Sequence, residues 1–324
     1  MSRFKQVDLS RVRTVSLAAR ESKVATAALG RVPDPDGAHN FLDSLPGSLK
    51  ARELRQLISI IGKARARGLP FHIMLGAHVI KVGLSGIIID LMESGIVSGL
   101  SLNSAGIIHD LELSFTGKTS EDVKAGLEDG SFGMAKETGE LFAGVVELAE
   151  AESTGLGEAA GKYINGSDGE YKAVSILGAA ERLNLPATVH IAIGADIVHQ
   201  QGNFRAGPAA EASYRDFRIL ANILIQADQG GVVANIGSAV ILPEVFLKAL
   251  AVARNLSAGK RQIYTANFDM ISHYRPMENV VRRPTDGGKR GFNFIGHHEI
   301  MIPLLAWGLK ADYRAIQKEN GEKS

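Results

Sequence analysis

A single lysine sits in one of the most apolar stretches of this chain. Residues 71 to 90 read Phe-His-Ile-Met-Leu-Gly-Ala-His-Val-Ile-Lys-Val-Gly-Leu-Ser-Gly-Ile-Ile-Ile-Asp, with Lys81 standing among aliphatics and glycines. Burial strips water from an ammonium group and lowers its pKa. A partly neutral lysine can attack a carbonyl or imine carbon, or take a proton. The plain alternative is a buried stem whose charged head reaches water.

Polar and small residues recur just after each apolar run that reads as a strand. Gly76, Ala77, His78, Lys81 and Gly83 follow the first. Asn103, Ser104, Gly106, His109, Asp110 and Glu112 follow the second, and Gly194, Asp196 and His199 the third. Asn235, Gly237 and Ser238 close the fourth, Asn267 and Asp269 the fifth, and Gly296, His297, His298 and Glu299 precede the last helix. In open parallel sheets ligands bind beyond the carboxyl ends of the strands, so these positions form the candidate site. Asn103, Ser104, Asp196, Ser238 and Asp269 can equally serve as helix N-caps. Gly76, Gly83, Gly106, Gly194 and Gly237 offer backbone N–H groups that can cradle a pyrophosphate. Neither Gly-x-Gly-x-x-Gly nor a Walker sequence accompanies them.

Other chemistries fit less well. His297, His298 and Glu299 are dense in histidine and carboxylate, but neighbours on a helix diverge, and no His-x-x-x-His occurs. No metal is therefore expected. The chain has no cysteine, which excludes disulfides and thiolate chemistry. The formal net charge of +1 makes no case for nucleic acid. The basic segment Tyr274, Arg275, Arg282, Arg283, Lys289 and Arg290 is interrupted by Glu278 and Asp286. The amino-terminal residues have no apolar signal core, and Lys81, Asp90, His190 and Asp196 break the apolar runs before any could span a bilayer. A cytoplasmic protein is expected.

The elements that must position these residues alternate. Strands are expected at Val12–Leu17, Phe71–Leu75, Val97–Leu102, Thr188–Ile193, Val232–Ile236, Ile263–Asn267 and Phe292–Ile295. Helices are expected at Leu49–Arg67, Gly83–Ser94, from Gly106 onward, and over Gly133–Ala151, Tyr171–Asn184, Arg215–Gln226, Leu242–Asn255 and His298–Leu309. Val32-Pro-Asp-Pro-Asp-Gly37 signals a turn, Gly155-Leu-Gly157 a connector, and the last dozen residues, ending Gln-Lys-Glu-Asn-Gly-Glu-Lys-Ser, are expected to fray. Unbroken apolar strands alternating with helices indicate an α/β fold, a single Rossmann-like parallel sheet with helices on both faces. One domain over 1–324 is expected, with an N-terminal extension over 1–47 and the core over 70–310.

The segment Gly76 to Asp110 resembles deoxyhypusine synthase. Ala77-His78 and Lys81-Val82-Gly83 stand where that family has a Ser-Asn-x-x-Ser-Ser-Gly loop, and Asn103–Asp110 occupies its second motif. Ser175–Gly194 with Asp196, Val232–Ser238 and Glu299-Ile-Met-Ile-Pro-Leu-Leu305 continue the likeness in order over roughly 70–310. The resemblance implies a Rossmann-like sheet, NAD at the strand ends, and a homo-oligomer, a tetramer or a dimer. The family's paired glutamates fall on Ile108 and His109, and its catalytic histidine falls among the apolar Val240–Leu242. The counterpart of its imine-forming lysine is Lys289, in Gly-Gly-Lys-Arg-Gly. The second motif also resembles the ornithine cyclodeaminase (LOR/SDH) C-terminal domain, through Asn103, His109, Asp110 and Glu112. Both families open by oxidising an amine to an imine with NAD.

These resemblances imply a deoxyhypusine synthase-like, NAD-dependent enzyme acting on a small amine or amino acid through an imine. Its catalytic residues would be His109, Lys81, Asp110 and Lys289. NAD would lie on Gly76, His78, Gly83, Asn103, Ser104, Gly106, Gly194, Asp196, Gly237, Ser238, Asn267 and Asp269. Glu112, His199, His297, His298 and Glu299 would meet the substrate. The alternatives are an ammonia-eliminating cyclodeaminase, a nucleotide-binding relative without synthase activity, and a metal-dependent hydrolase.

Overall fold

Phe71–Leu75 and Val232–Ile236 are strands with the bounds their apolar runs predict, and they lie side by side at the centre of a parallel sheet. The structure is a computed structural model that describes residues 9–26, 37–258 and 261–321. Its strands are β1 (Ser22–Ala25), β2 (Phe71–Leu75), β3 (Gly99–Asn103), β4 (Lys118–Glu121), β5 (Ala187–His190), β6 (Val232–Ile236), β7 (Tyr264–Asp269) and β8 (Gly291–Ile295). Six of them form one parallel sheet in the order β5-β3-β2-β6-β7-β8. Counted by position along the chain, that is the doubly wound order third-second-first-fourth-fifth-sixth. The crossovers after β2 and β6 leave in opposite directions, and a crevice opens between the carboxyl ends of those two strands.

Several elements differ from the sequence reading for local reasons. The helix expected over 83–94 is Ser85–Glu93, and a further short helix, Ala77–Lys81, precedes it, with Gly83 at φ +79° turning the chain between them. Gly155 caps a helix, Leu156–Asn165, and does not begin a connector. Val12–Leu17 is not a strand, since Val15 makes an isolated bridge to Ala135. The last helix, His298–Gly321, continues into the terminus expected to fray, as far as the described residues reach. The turn signal at 32–36 lies outside the described residues. The stretch read as an extension reaches the core: β1 pairs antiparallel with β4, which periodicity did not mark. Among the described residues no helix is long and apolar enough to cross a membrane.

The two faces of the sheet differ in chemistry. One carries Ile73, Leu75, Leu100, Leu102, Ala234, Ile236 and Phe268, in a core cluster with Leu57, Ile61, Ile87 and Leu305 of the covering helices. Strand register sets Thr188, Ser101, Met74, Asn235, Asn267 and Asn293 abreast on the other face. Asn235 Nδ2 donates to Asn267 Oδ1 at 2.8 Å, and Asn267 Nδ2 to Asn293 Oδ1 at 2.9 Å. On the far side of Met74 a second chain links His72, Ser101, Thr188 and His190 at 2.8, 2.7 and 3.0 Å. Pairing with one another offsets the desolvation these buried groups suffer.

At the crevice β2 and β6 come very close. Gly76 N–H donates to Ile236 O at 2.8 Å, and a Cβ on Gly76 would lie 2.0 Å from Gly237 O. Gly237 itself has φ +71°, a conformation that favours glycine. We predict that Gly76→Ala forces the strand ends apart and costs at least about 3 kcal/mol, the upper end for overpacking. Urea unfolding checks this, and a variant as stable as the parent would contradict it.

Candidate active site

A cavity of about 190 Å³ lies beside the helix Ser104–Thr116. Arg20, Lys81, His109, Glu112, Glu121 and Asp196 supply its polar wall, and Ile108, Val123, Phe132 and Ile197 its apolar wall. Asn103 starts that helix by accepting from Gly106 N–H at 3.0 Å. One helical turn separates His109 from Glu112, so both look the same way.

Glu112 is the most heavily bonded group in the wall. Arg20 donates to it in a two-pronged fork, Nη1 to Oε1 and Nη2 to Oε2, both at 3.0 Å. Thr138 Oγ1 donates to Oε1 at 2.7 Å and Thr119 Oγ1 to Oε2 at 2.5 Å. The side chains of Arg20 and Glu112 are 8% and 1% exposed. Burial works against the charge on Glu112, but the Arg20 guanidinium and the two hydroxyls outweigh it and hold the carboxyl below its ordinary pKa. With four donors on two oxygens, Glu112 has no lone pair left for a substrate ammonium.

His109 Nδ1 lies 2.6 Å from Thr119 Oγ1, and its side chain is 16% exposed. Burial, aided by Lys81 and Arg20 and opposed by Glu112, lowers its pKa to about 4. The imidazole is therefore neutral at ordinary pH. Lys81 ends the short helix Ala77–Lys81, half-buried, with no ion-pair partner among the described residues. Its head is not encased in apolar groups, as its sequence neighbourhood implies, but faces the cavity. Asp196 accepts from Ser104 Oγ and from Ala192 N–H, the latter at 3.0 Å. His199 accepts from Gly194 N–H at 3.1 Å, with its Nε2 3.9 Å from Asp196. Burial raises the pKa of Glu121, which lies 3.7 Å from Arg20.

The switch-point crevice holds a second group. His78 and His298 face each other with ring centroids 5.4 Å apart. Burial lowers the pKa of His78, with His298 and Lys81 acting in the same direction. His298 Nε2 contacts Phe268 O at 3.3 Å, and its Nδ1 is buried without a partner. Asn235 Oδ1 and Asp269 Oδ2 are likewise buried without a hydrogen-bond partner, and His273 Nε2 lies 3.9 Å from Asp269 Oδ2. Asp269 Oδ1 is engaged by Met270 N–H at 2.8 Å. Ser238 Oγ accepts from Leu242 N–H at 3.2 Å, capping the helix Ile241–Leu256, and Asn267 is a rung of the amide row.

Other expected site residues lie elsewhere. Asp110 is fully buried and is spent on the start of the helix Ile176–Arg182, accepting from Ser175 Oγ, Ile176 N–H and Leu177 N–H at 2.7 to 3.0 Å. Burial pushes its pKa up to about 6. Lys289 is 76% exposed, pairs with Asp286, and precedes the amino end of β8, at the opposite edge of the sheet from the cavity. The structure therefore does not bring Lys289 to the cavity. His297 and Glu299 are exposed and pair with each other at 3.7 Å. Gly83 serves the turn already described, and Gly106 packs on Leu102 of β3. Arg20, Thr119, Thr138 and Glu121 join the site without having been anticipated. Among the described residues no three His, Asp or Glu side chains are arranged to hold a metal ion.

No protein-family model matches this chain, and no curated protein does. Solved structures share its fold. A protein of Entamoeba histolytica, provisionally described as a deoxyhypusine synthase, is 13% identical with a TM-score of 0.53 over 87% of this chain and 97% of its own. ArgZ, a cyanobacterial arginine dihydrolase of the ornithine-ammonia cycle, is 15% identical with a TM-score of 0.50 over 81% of this chain. This chain spans about a third of ArgZ's length, 33%. A protein of Methanococcus maripaludis S2, provisionally described as LOR/SDH, is 14% identical with a TM-score of 0.49, over 81% of this chain and 70% of its own. The fold is Rossmann-like and deoxyhypusine synthase-like.

Two outcomes test the electrostatics. Arg20→Ala should destabilise the protein by about 3–5 kcal/mol, because it strands a buried carboxylate, as urea unfolding can measure. In an NMR titration His109 should take its proton near pH 4 rather than near 6.5. A midpoint near 6.5 would contradict a buried, neutral His109.

Proposed function

We propose that this protein is an NAD-dependent enzyme that oxidises a small amine or amino acid to an imine. The observation that carries the reading is a doubly wound switch point from which one short helix leads to Lys81, an unpaired lysine that lines a small cavity together with a neutral histidine. Two features of the crevice support a dinucleotide there. Asp269 Oδ2 and Asn235 Oδ1 are buried acceptors that suit ribose hydroxyls, and the N-termini of Ser104–Thr116 and Ile241–Leu256 present N–H groups suited to phosphate. Gly76, Gly237, Ser238 and Asp269 would hold the cofactor there, with His78 and His298 beside it. NAD bound there would supply a hydride acceptor for the carbon that bears the amine.

The chain's own residues do the rest. His109 removes the proton from the amine nitrogen as the carbon–nitrogen double bond forms, so one hydride and one proton leave the substrate. Lys81 sits between the crevice and the cavity, and its charge attracts a phosphate or a substrate carboxylate. Asp196 and Glu121 are the carboxylates left to face a substrate ammonium, since Glu112 is saturated. The apolar wall of Ile108, Val123, Phe132 and Ile197 limits water around the imine.

NAD released on denaturing the purified protein, or NAD affinity measured by calorimetry, tests the proposal. A preparation with neither would overturn it. Small amines and amino acids should then be screened for NAD reduction. His109→Gln should lower kcat by roughly 10²–10⁴-fold in a folded protein. Lys81→Ser should weaken nucleotide or substrate binding by about tenfold, equivalent to ~1.4 kcal/mol. If both affinities are unchanged, Lys81 is a surface-seeking core residue.

A further inference from the structure

Thr119 is placed to decide which nitrogen of His109 carries hydrogen. Its hydroxyl oxygen lies 2.5 Å from Glu112 Oε2 and 2.6 Å from His109 Nδ1. A hydroxyl has one hydrogen to give, and an ionised carboxylate can only accept. The Arg20 fork and the Thr138 hydroxyl keep Glu112 ionised, so the Thr119 hydrogen points to Glu112. The Thr119 oxygen is then an acceptor toward His109, and Nδ1 must carry the hydrogen that fills the 2.6 Å contact. In a neutral imidazole that leaves Nε2 bare. Nε2 has no hydrogen-bond partner among the described residues, and the ring lines the cavity.

We infer that Thr119 is a positioning residue: relaying the charge of Glu112, it fixes His109 in the Nδ1–H tautomer and presents an unprotonated Nε2 to the cavity as a proton acceptor. Direct contact cannot replace the relay in this geometry, because Nδ1 and Glu112 Oε2 are 4.0 Å apart. The order along the relay is Arg20, Glu112, Thr119, His109, with each donor facing one acceptor. A hydroxyl at position 119 is required, whereas the methyl group of threonine is not. The tautomer itself is independent of the proposed oxidation, and the use made of Nε2 rests on that reading.

Imidazole ¹⁵N NMR of the whole protein near pH 7 tests this, with His109 assigned by the signal lost in His109→Gln. The wild type and Thr119→Ser should both show His109 as Nδ1–H with Nε2 unprotonated. Thr119→Val keeps the bulk but puts a methyl in the relay, which also blocks the ring from closing on Glu112. It should lose the single Nδ1–H form. A wild-type ring protonated on Nε2, or a valine variant that keeps Nδ1–H, overturns the inference. If the valine variant does not fold, wild type and Thr119→Ser still decide, since both must be Nδ1–H. For an amine that reduces NAD, Thr119→Val should lower kcat by roughly 10²-fold with KM little changed, and Thr119→Ser should restore it. The expected tautomers in a protein without NAD affinity uphold the relay and overturn the oxidation. NAD reduction by a protein whose His109 is Nε2–H does the reverse.

Discussion

The backbone approach between Gly76 and Gly237 is the constraint on which the site depends. Two parallel strands end together there, and the chain leaves them in opposite directions. The approach leaves no room for a Cβ on Gly76, so the crevice floor is bare peptide. The helix that leaves Gly76 is one turn and a half long, and it carries His78 at its start and Lys81 at its end. His78 therefore stays over the switch point beside His298, while Lys81 reaches the cavity wall.

A second layer of control comes from outside the parallel sheet. Arg20 lies in the amino-terminal stretch just before β1, and Thr119 lies on β4, the strand that pairs with β1. This two-stranded unit brings a cation and a hydroxyl to Glu112, which the helix Ser104–Thr116 alone leaves buried with an uncompensated charge. The carboxylate thereby becomes a fixed acceptor that orients its neighbours. Asp110, next but one in sequence, follows the same physics on the other side of the helix, where its donors are the start of another helix.

How much of this was legible in the sequence depends on how local each cause is. Five-residue apolar runs bounded by glycine and polar residues marked β2 and β6 well, since burial on both faces leaves a continuous pattern. The collection of small and polar residues at strand ends located the crevice and His109. Lys81 was noticed through its apolar neighbours, although its head turned out to face a cavity they do not line. Asp110 and Glu112 looked alike as carboxylates beside a histidine, and their different duties arise from partners far along the chain, such as Ser175 and Arg20. Thr119 was invisible because Lys118–Glu121 is too short and too polar to show a strand period. Lys289 illustrates the converse, since a motif match carries no information about which edge of the sheet it occupies.

The row of amides across β6, β7 and β8 bears on how the strands find one another. Parallel strands rich in valine, isoleucine and alanine are nearly interchangeable, so burial alone leaves their alignment degenerate. Asn235, Asn267 and Asn293 hydrogen-bond one another at a single alignment. Sliding β7 by one residue would carry Asn267 to the face occupied by Phe268 and would strand the amides on either side. Sliding by two would set Asn267 beside Val233 or Gly237, neither of which has a side-chain amide. The three asparagines thus act as an address that only one pairing can read, a penalty on misassembly that no aliphatic residue in those positions would impose.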